Sequence, residues 1–281
     1  MVSRMVSLIG CGTIGRELAL AIDTGRVKNA SLISLFDIVG HVAEKLKNNL
    51  QNSNPSYFSD FSQFISSSSF MEADIIIEAA SQQAVRNFGK KIVEYGKTLM
   101  VMSVGAFVDK LFLSEMVDIA SKYHSRIYLP TGAIAGIDAI RSVKYLLDSV
   151  TLITTKSPKA LDGAPFFNTT KIDMQAIKEK TVIYEGAAAD AIKKFPANVN
   201  VAAVLSLAGI GNEKTIVKIV ADPNTVVNEH EITAKGRFGE IKITVRNVPS
   251  PNNPKTSLLA VLSAIECLRS ICSDDSLRIG S

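Results

Sequence analysis

The chain has 281 residues, enough for about two domains of ordinary size, and a chain of that length buries roughly 75% of the surface its unfolded form exposes. It is 47% hydrophobic and 21% charged, which excludes disorder. Its 31 basic and 27 acidic side chains leave +4 with no long lysine or arginine run, so no nucleic-acid partner is expected. Cys11, Cys267 and Cys272 with only three histidines make neither a disulfide framework nor a zinc site. A metal-free protein in a reducing, cytoplasmic setting is expected. The longest apolar stretch, 199–211, contains Asn200 and Ser206 and falls short of the ~18 residues of a membrane span.

Met5 to Ile9 is a short apolar run that leads directly into Gly10-Cys11-Gly12-Thr13-Ile14-Gly15. Leu8-Ile9-Gly10-Cys11 has the look of a lipoprotein cleavage box, but five apolar residues are fewer than the roughly 7–15 of a signal core. Ile14, Leu18 and Ile22 continue at a spacing of four, which is a helical stripe. Strand, glycine turn and helix together read as a dinucleotide site. Gly10 permits the tight turn, Gly12 admits a pyrophosphate, Gly15 lets helix and strand pack closely, and the helix end around Thr13 and Ile14 offers N–H groups to the phosphates. A second strand, 32–36, ends in Asp37, 22 residues beyond Gly15. That is near the ~20 expected of an acid that bonds the ribose 2′-hydroxyl and repels a 2′-phosphate, so NAD is favoured over NADP. The competing role for Asp37 is to cap a helix over 39–50.

The alternation continues. Strands are expected at 74–77, 98–102 and 126–129, with helices from about 82 to 95 and 110 to 123. Residues 52–69, with a four-serine patch, read as a surface excursion. Strands alternating with helices make a parallel sheet whose ligands sit at the strands' carboxyl ends. This puts Ala79, Ala80 and the turn Ser103-Val104-Gly105-Ala106 beside the cofactor.

The texture changes after Pro130. Thr131-Gly132-Ala133-Ile134-Ala135-Gly136 is a second glycine turn. Strands at about 150–156, 214–220, 225–235 and 238–248 follow without crossover helices, which suggests an antiparallel sheet. Asn253 and Pro254 read as the cap and first residue of a terminal helix. Its stripe of Leu258, Val261, Leu262, Ile265 and Leu268 should return to the first domain. The expected organisation is α/β: a Rossmann-type, doubly wound parallel sheet over 1–130 joined by helix 254–281, and a smaller α+β substrate domain over 131–253 with a mostly antiparallel sheet.

Polar residues in apolar surroundings mark the chemistry. Asn198 and Asn200 lead into an apolar helix and need hydrogen-bond partners. Asn198 reads equally as a cap; an amide at Asn200 could hold a nicotinamide carboxamide or a substrate group. In the strand 225–235, alternation puts Val226, Asn228, His230 and Ile232 on one face, so His230 faces inward, either as a satisfied core residue or as a base. Arg141, Lys144, Lys156, Lys159, Lys235 and Arg237 are the cations from which a dicarboxylate site would draw.

These segments resemble the L-aspartate dehydrogenase family over nearly the whole chain. The most specific features are Thr131-Gly132-Ala133-Ile134-Ala135-Gly136 combined with Phe195-Pro196-Ala197-Asn198-Val199-Asn200-Val201-Ala202, and the Glu229-His230-Glu231-Ile232 strand adds to them. The resemblance implies NAD(P)-dependent conversion of L-aspartate to iminoaspartate, then oxaloacetate and ammonia, with the imine available for pyridine-nucleotide biosynthesis. It implies His230 as the active-site histidine, one of Ala133 and Ala135 and one of Asn198 and Asn200 as nicotinamide contacts, and a homodimer. Removing a proton from the amine and adding water to the imine both call for a base, which a histidine of unperturbed pKa near ~6.5 suits. Three rivals stand beside this reading. An aldehyde dehydrogenase lacks a well-placed cysteine here. A dihydrodipicolinate-reductase-like enzyme would need paired histidines. A non-catalytic dinucleotide sensor would have no use for His230.

Overall fold

The computed structural model describes residues 3–170, 172–195, 199–250, 253–274 and 276–277. The chain divides into two compact units, one built from Met1–Pro130 and Val261–Ile279, the other from Thr131–Ala260.

The first unit runs β1 (Arg4–Ile9), α1 (Thr13–Asp23), β2 (Ala30–Phe36), α2 (Gly40–Asn48), β3 (Ser56–Phe58), α3 (Phe61–Ser66), α4 (Ser68–Glu72), β4 (Ile75–Glu78), α5 (Gln82–Glu94), β5 (Thr98–Val101), α6 (Lys110–Lys122) and β6 (Ile127–Tyr128). Its six strands pair in parallel in the order β3-β2-β1-β4-β5-β6, the doubly wound order whose direction reverses at β1. β1 and β4 are buried on both faces, which is why Ile75, Ile76 and Ile77 read as a continuous apolar run rather than an alternation. One polar pair interrupts the packing: Ser7 Oγ meets Ser34 Oγ at 2.6 Å, beside the bulge between Val6 and Ser7. The spacing of Leu18 and Ile22 lays α1 on the core with Val6, Leu8 and Leu35. At the end of α1 the Asp23 carboxylate accepts N–H bonds from Gln51, Asn52 and Ser53, which pins the loop after α2.

Residues 52–69 are not a surface excursion. They form β3, α3 and the start of α4, and Phe64 stacks on Phe36 with ring centroids 5.4 Å apart. Phe64 also meets Phe70 edge-on at 5.2 Å, and all three phenylalanines are buried. The serine-rich flank is outweighed by the aromatic residues around it: Phe64 and Phe70 are buried, with Phe58 and Phe61 half-buried beside them.

The second unit comprises α7 (Ile137–Ser142), β7 (Leu147–Lys156), α8 (Pro158–Leu161), β8 (Thr181–Ala187), α9 (Ala188–Lys194), α10 (Val199–Ala208), β9 (Ile216–Ala221), β10 (Asn228–Gly236), β11 (Gly239–Asn247), β12 (Pro249–Ser250) and β13 (Asn253–Ser257). Its five-stranded sheet has the order β11-β10-β7-β9-β8. It is mostly antiparallel, with β7 and β9 parallel. β8 and α9 had no strong signal in the sequence. Val150, Leu152, Thr154 and Lys156 of β7 share a buried face with Asn228, His230, Ile232 and Ala234 of β10. Gly209, just after α10, lies against that face, where a methyl would make an ordinary 3.5 Å contact with Val150 Cγ2.

Asn253 and Pro254 belong to β13, and the terminal helix α11 (Leu258–Cys272) begins four residues after Pro254. The β12–β13 hairpin takes up the residues read as a cap. From α11, Val261, Ala264, Ile265, Leu268 and Cys272 enter the core that contains β1 and α1. Leu262 is exposed instead: one residue past Val261, it turns about 100° off the stripe.

Candidate functional site

At the carboxyl end of β1 the three loop glycines differ in what surrounds them. Gly10 has φ +91°, and a methyl there would lie 2.7 Å from the backbone of Ala79 and Ala80. A methyl on Gly15 would lie 1.9 Å from the Gly10 carbonyl oxygen, so this residue sets the closeness of α1 to β1. Gly12 has nothing within 4 Å of the corresponding position and is exposed. It caps α1 with no side-chain hydrogen bond and no acid in the first turn, so the first N–H groups of α1, around the half-buried Thr13 and Ile14, face an open approach. This open cradle at a helix N-terminus fits a dinucleotide's pyrophosphate.

Asp37 ends β2 against this loop. Cys11 N–H donates to Asp37 Oδ2 at 2.9 Å and Val39 N–H to Oδ1 at 3.0 Å. The residue capping α2 is Val39, not Asp37. Each carboxylate oxygen keeps a further lone pair. Burial and the neighbouring Asp37 charge push the Cys11 thiol up to about 12. Cys267 and Cys272 are pushed up to about 11, chiefly by burial. All three remain thiols at neutral pH, which disfavours the cysteine-nucleophile rival.

Glu78, at the carboxyl end of β4, is 2% exposed and had no role assigned from sequence. Its Oε1 accepts from Ala80 N–H at 2.8 Å, Ser81 N–H at 2.9 Å and Ser103 Oγ–H at 2.8 Å, and its Oε2 accepts from Ser103 N–H at 3.0 Å. Burial raises its pKa, against the pull of these four donors. One buried carboxylate thus ties the β4–α5 turn, with Ala79 half-buried and Ala80 exposed, to the turn after β5, where Ser103 and Gly105 are buried. The signal was available: an acid at the end of three buried isoleucines needs several donors.

In the second unit, His230 pairs with Thr154 across the β7–β10 ladder, and Nδ1 lies 3.0 Å from Thr154 Oγ1. His230 is 3% exposed. Its pKa is lowered to about 3, by burial first and then by the charge of Lys156. Lys156, on the same face two residues beyond Thr154, is lowered to about 8 by burial. The strand carrying His230 begins at Asn228, so Val226 precedes it and is 87% exposed, not inward. Next to His230 on the same face, Asn228 pairs with Asn247 of β11, and Asn247 Nδ2 donates to the Ala133 carbonyl oxygen at 2.9 Å. That bond draws the Gly132–Gly136 turn to the histidine's end of the sheet. Ala133 is buried in this turn and Ala135 is exposed. Asn200 is not inside an apolar surface: it is exposed in the first turn of α10, and Asn198 lies outside the described residues.

A parallel sheet in the 3-2-1-4-5-6 order with an open glycine loop at its reversal, joined to a unit that buries a histidine beside a lysine, defines a two-domain NAD(P)-dependent dehydrogenase. Residues 138–271 match the family model "Aspartate dehydrogenase, C-terminal", and residues 10–130 match "Homoserine dehydrogenase, NAD binding domain". The chain is 46% identical to an L-aspartate dehydrogenase of Nitrosopumilus maritimus, covering 99% of this chain and 100% of that one. It is 44% identical to one of Methanococcoides burtonii, covering 98% and 99%. The crystal structure of aspartate dehydrogenase from Thermotoga maritima superposes with a TM-score of 0.75 at 26% identity, covering 99% of each chain. The chain belongs to the aspartate dehydrogenase family.

Proposed function

We infer that the protein is an NAD(P)-dependent L-aspartate dehydrogenase. It oxidises L-aspartate to iminoaspartate, which water converts to oxaloacetate and ammonia, and it catalyses reductive amination in reverse. The observation that carries this reading is the 46% identity to an L-aspartate dehydrogenase along the full length of both chains.

The nicotinamide, when bound, supplies the acceptor for the substrate's α-hydride. Gly10, Gly12, Thr13, Ile14 and Gly15 would hold the pyrophosphate, and Asp37 the adenosine ribose. Ala79, Ala80, Ser103, Gly105, one of Ala133 and Ala135, and one of Asn198 and Asn200 would line the rest of the cofactor. His230 is the acid–base residue. Burial and Lys156 hold the ring neutral at working pH, and the role requires the tautomer in which Nδ1–H donates to Thr154 Oγ1, 3.0 Å away, so that Nε2 keeps its lone pair. It takes a proton from the substrate amine and releases it to solvent, then takes one from the water that adds to the imine and returns it to the nitrogen that leaves as ammonia. The reading extends to a homodimer in the cytoplasm whose iminoaspartate feeds pyridine-nucleotide biosynthesis.

The deciding assay is NADH oxidation with oxaloacetate, with and without ammonium. The aspartate reading requires ammonium. Oxidation that proceeds equally without it would indicate a 2-hydroxy-acid dehydrogenase, and no oxidation under either condition, with NADH still bound, would indicate a sensor.

A further inference from the structure

We propose that Lys156 is the residue that grips a carboxylate of the substrate and so fixes the amino acid in place for His230. The inference rests on the aspartate reading above and assigns within it the cation that a dicarboxylate requires.

The assignment comes from burial, register and chemistry. Of the six cations singled out from the sequence, Arg141, Lys144, Lys159, Lys235 and Arg237 are exposed, and Lys235 is also ion-paired with Glu240 at 3.1 Å. Lys156 is 8% exposed. The β7–β10 ladder pairs Thr154 with His230 and Thr155 with Glu229. Lys156 therefore lies one step further, on the face of Thr154 and His230 and level with Asn228. Asn228 pairs with Asn247, whose amide holds the Ala133 turn. This end of the face presents an ammonium, two amides, a hydroxyl and an imidazole, a set suited to an anionic, hydrogen-bonding substrate rather than an apolar one.

The energetics agree. Desolvating an ammonium is costly, and methionine of similar volume would pack without that cost. Burial holds Lys156 at about 8, so it is still largely cationic at neutral pH. In a water-poor setting a charge-assisted bond to a carboxylate is stronger than at the surface. The electrostatics also couple the two residues. The Lys156 charge lowers His230; a carboxylate on Lys156 offsets that charge, so the bound substrate makes the imidazole a better base.

The test uses full-length wild type, Lys156→Met and Lys156→Gln, each checked for its melting transition, and two readouts. The first is steady-state oxidation of L-aspartate with saturating NAD. The second is calorimetric binding of succinate, a dicarboxylate without an amine, to the NAD-loaded enzyme. Both variants should raise the aspartate KM and weaken succinate by about 10² or more, the usual consequence of removing one partner of a desolvated charge pair. Affinity for NAD should stay within a few-fold of wild type. An aspartate KM and a succinate affinity within threefold of wild type in either folded variant would overturn the proposal. So would the collapse of both variants, which would make Lys156 a structural residue. A wild type that does not oxidise aspartate would instead overturn the functional reading on which this one rests.

Discussion

His230 Nδ1 and Thr154 Oγ1 lie 3.0 Å apart across neighbouring strands of one buried sheet face. This contact engages Nδ1, so Nε2 is the nitrogen that the proposed acid–base role would use. The ring is lowered to about 3, by burial and then by Lys156. An isolated imidazole would give an activity limb near pH ~6.5; here that limb should be missing from the wild-type profile. His230→Ala should lower turnover by roughly 10² to 10⁴, the usual worth of a positioned acid–base group, with NAD affinity unchanged. Single-turnover hydride transfer on folded protein checks this, and activity within a few-fold of wild type would make His230 a core residue. The same shift has a stability consequence. Between pH 6.5 and about 3 the unfolded chain binds a proton at this site that the native chain does not, so stability falls as pH falls through that window. His230→Asn should flatten part of that fall in melting experiments.

The first unit's sheet was legible because its signals are local. A glycine triplet, a helical stripe and an acid ending the second strand all lie within 40 residues. The inward position of His230 followed from alternation alone. Its partner Thr154 is 76 positions away, and no periodicity names a cross-strand neighbour. Asn200 misled for the opposite reason: the apolar run was real, but a residue in the first turn of a helix can face outward while those after it are buried. The Asn253–Pro254 cap failed because both residues lie in strand β13, and the helix starts only at Leu258.

The loop glycines make contrasting predictions. A side chain on Gly12 meets open space and one on Gly15 meets the Gly10 carbonyl oxygen at 1.9 Å. Gly12→Val should therefore melt near the wild-type temperature and lose NAD binding, because its side chain occupies the phosphate approach. Gly15→Val should be destabilised by about 1–3 kcal/mol or more, the usual cost of overpacking. Melting curves and NAD calorimetry on both variants separate the roles, and retained NAD affinity in Gly12→Val would make that glycine purely structural.

Asp37 is expected to set cofactor choice. Its carboxylate already accepts from Cys11 N–H and Val39 N–H, so it is held against the glycine loop before any ligand arrives. Asp37→Ala should weaken NAD more than NADP, because the lost carboxylate both bonded a ribose hydroxyl and repelled a 2′-phosphate. Equal losses for the two cofactors would reduce Asp37 to a brace for the loop.

The most exacting of these expectations concerns Glu78, whose carboxylate takes four donors from two different loops. Glu78→Gln keeps the shape but replaces one acceptor oxygen with an NH₂ group. In either amide orientation that group faces a donor: the Ser103 N–H in one, the Ala80 and Ser81 N–H groups in the other. At least one buried donor is left without its acceptor, at a cost of about 1–3 kcal/mol. The loss falls on the β4–α5 and post-β5 turns, which the functional reading places beside the cofactor. Glu78→Gln should therefore raise the KM for NAD several-fold with a smaller change in kcat, and lower the melting temperature modestly. Ser103→Ala removes only the hydroxyl donor and should show a weaker form of the same pattern. If Glu78→Gln lowers stability but leaves the NAD KM within twofold of wild type, the carboxylate serves the core and not the cofactor loops.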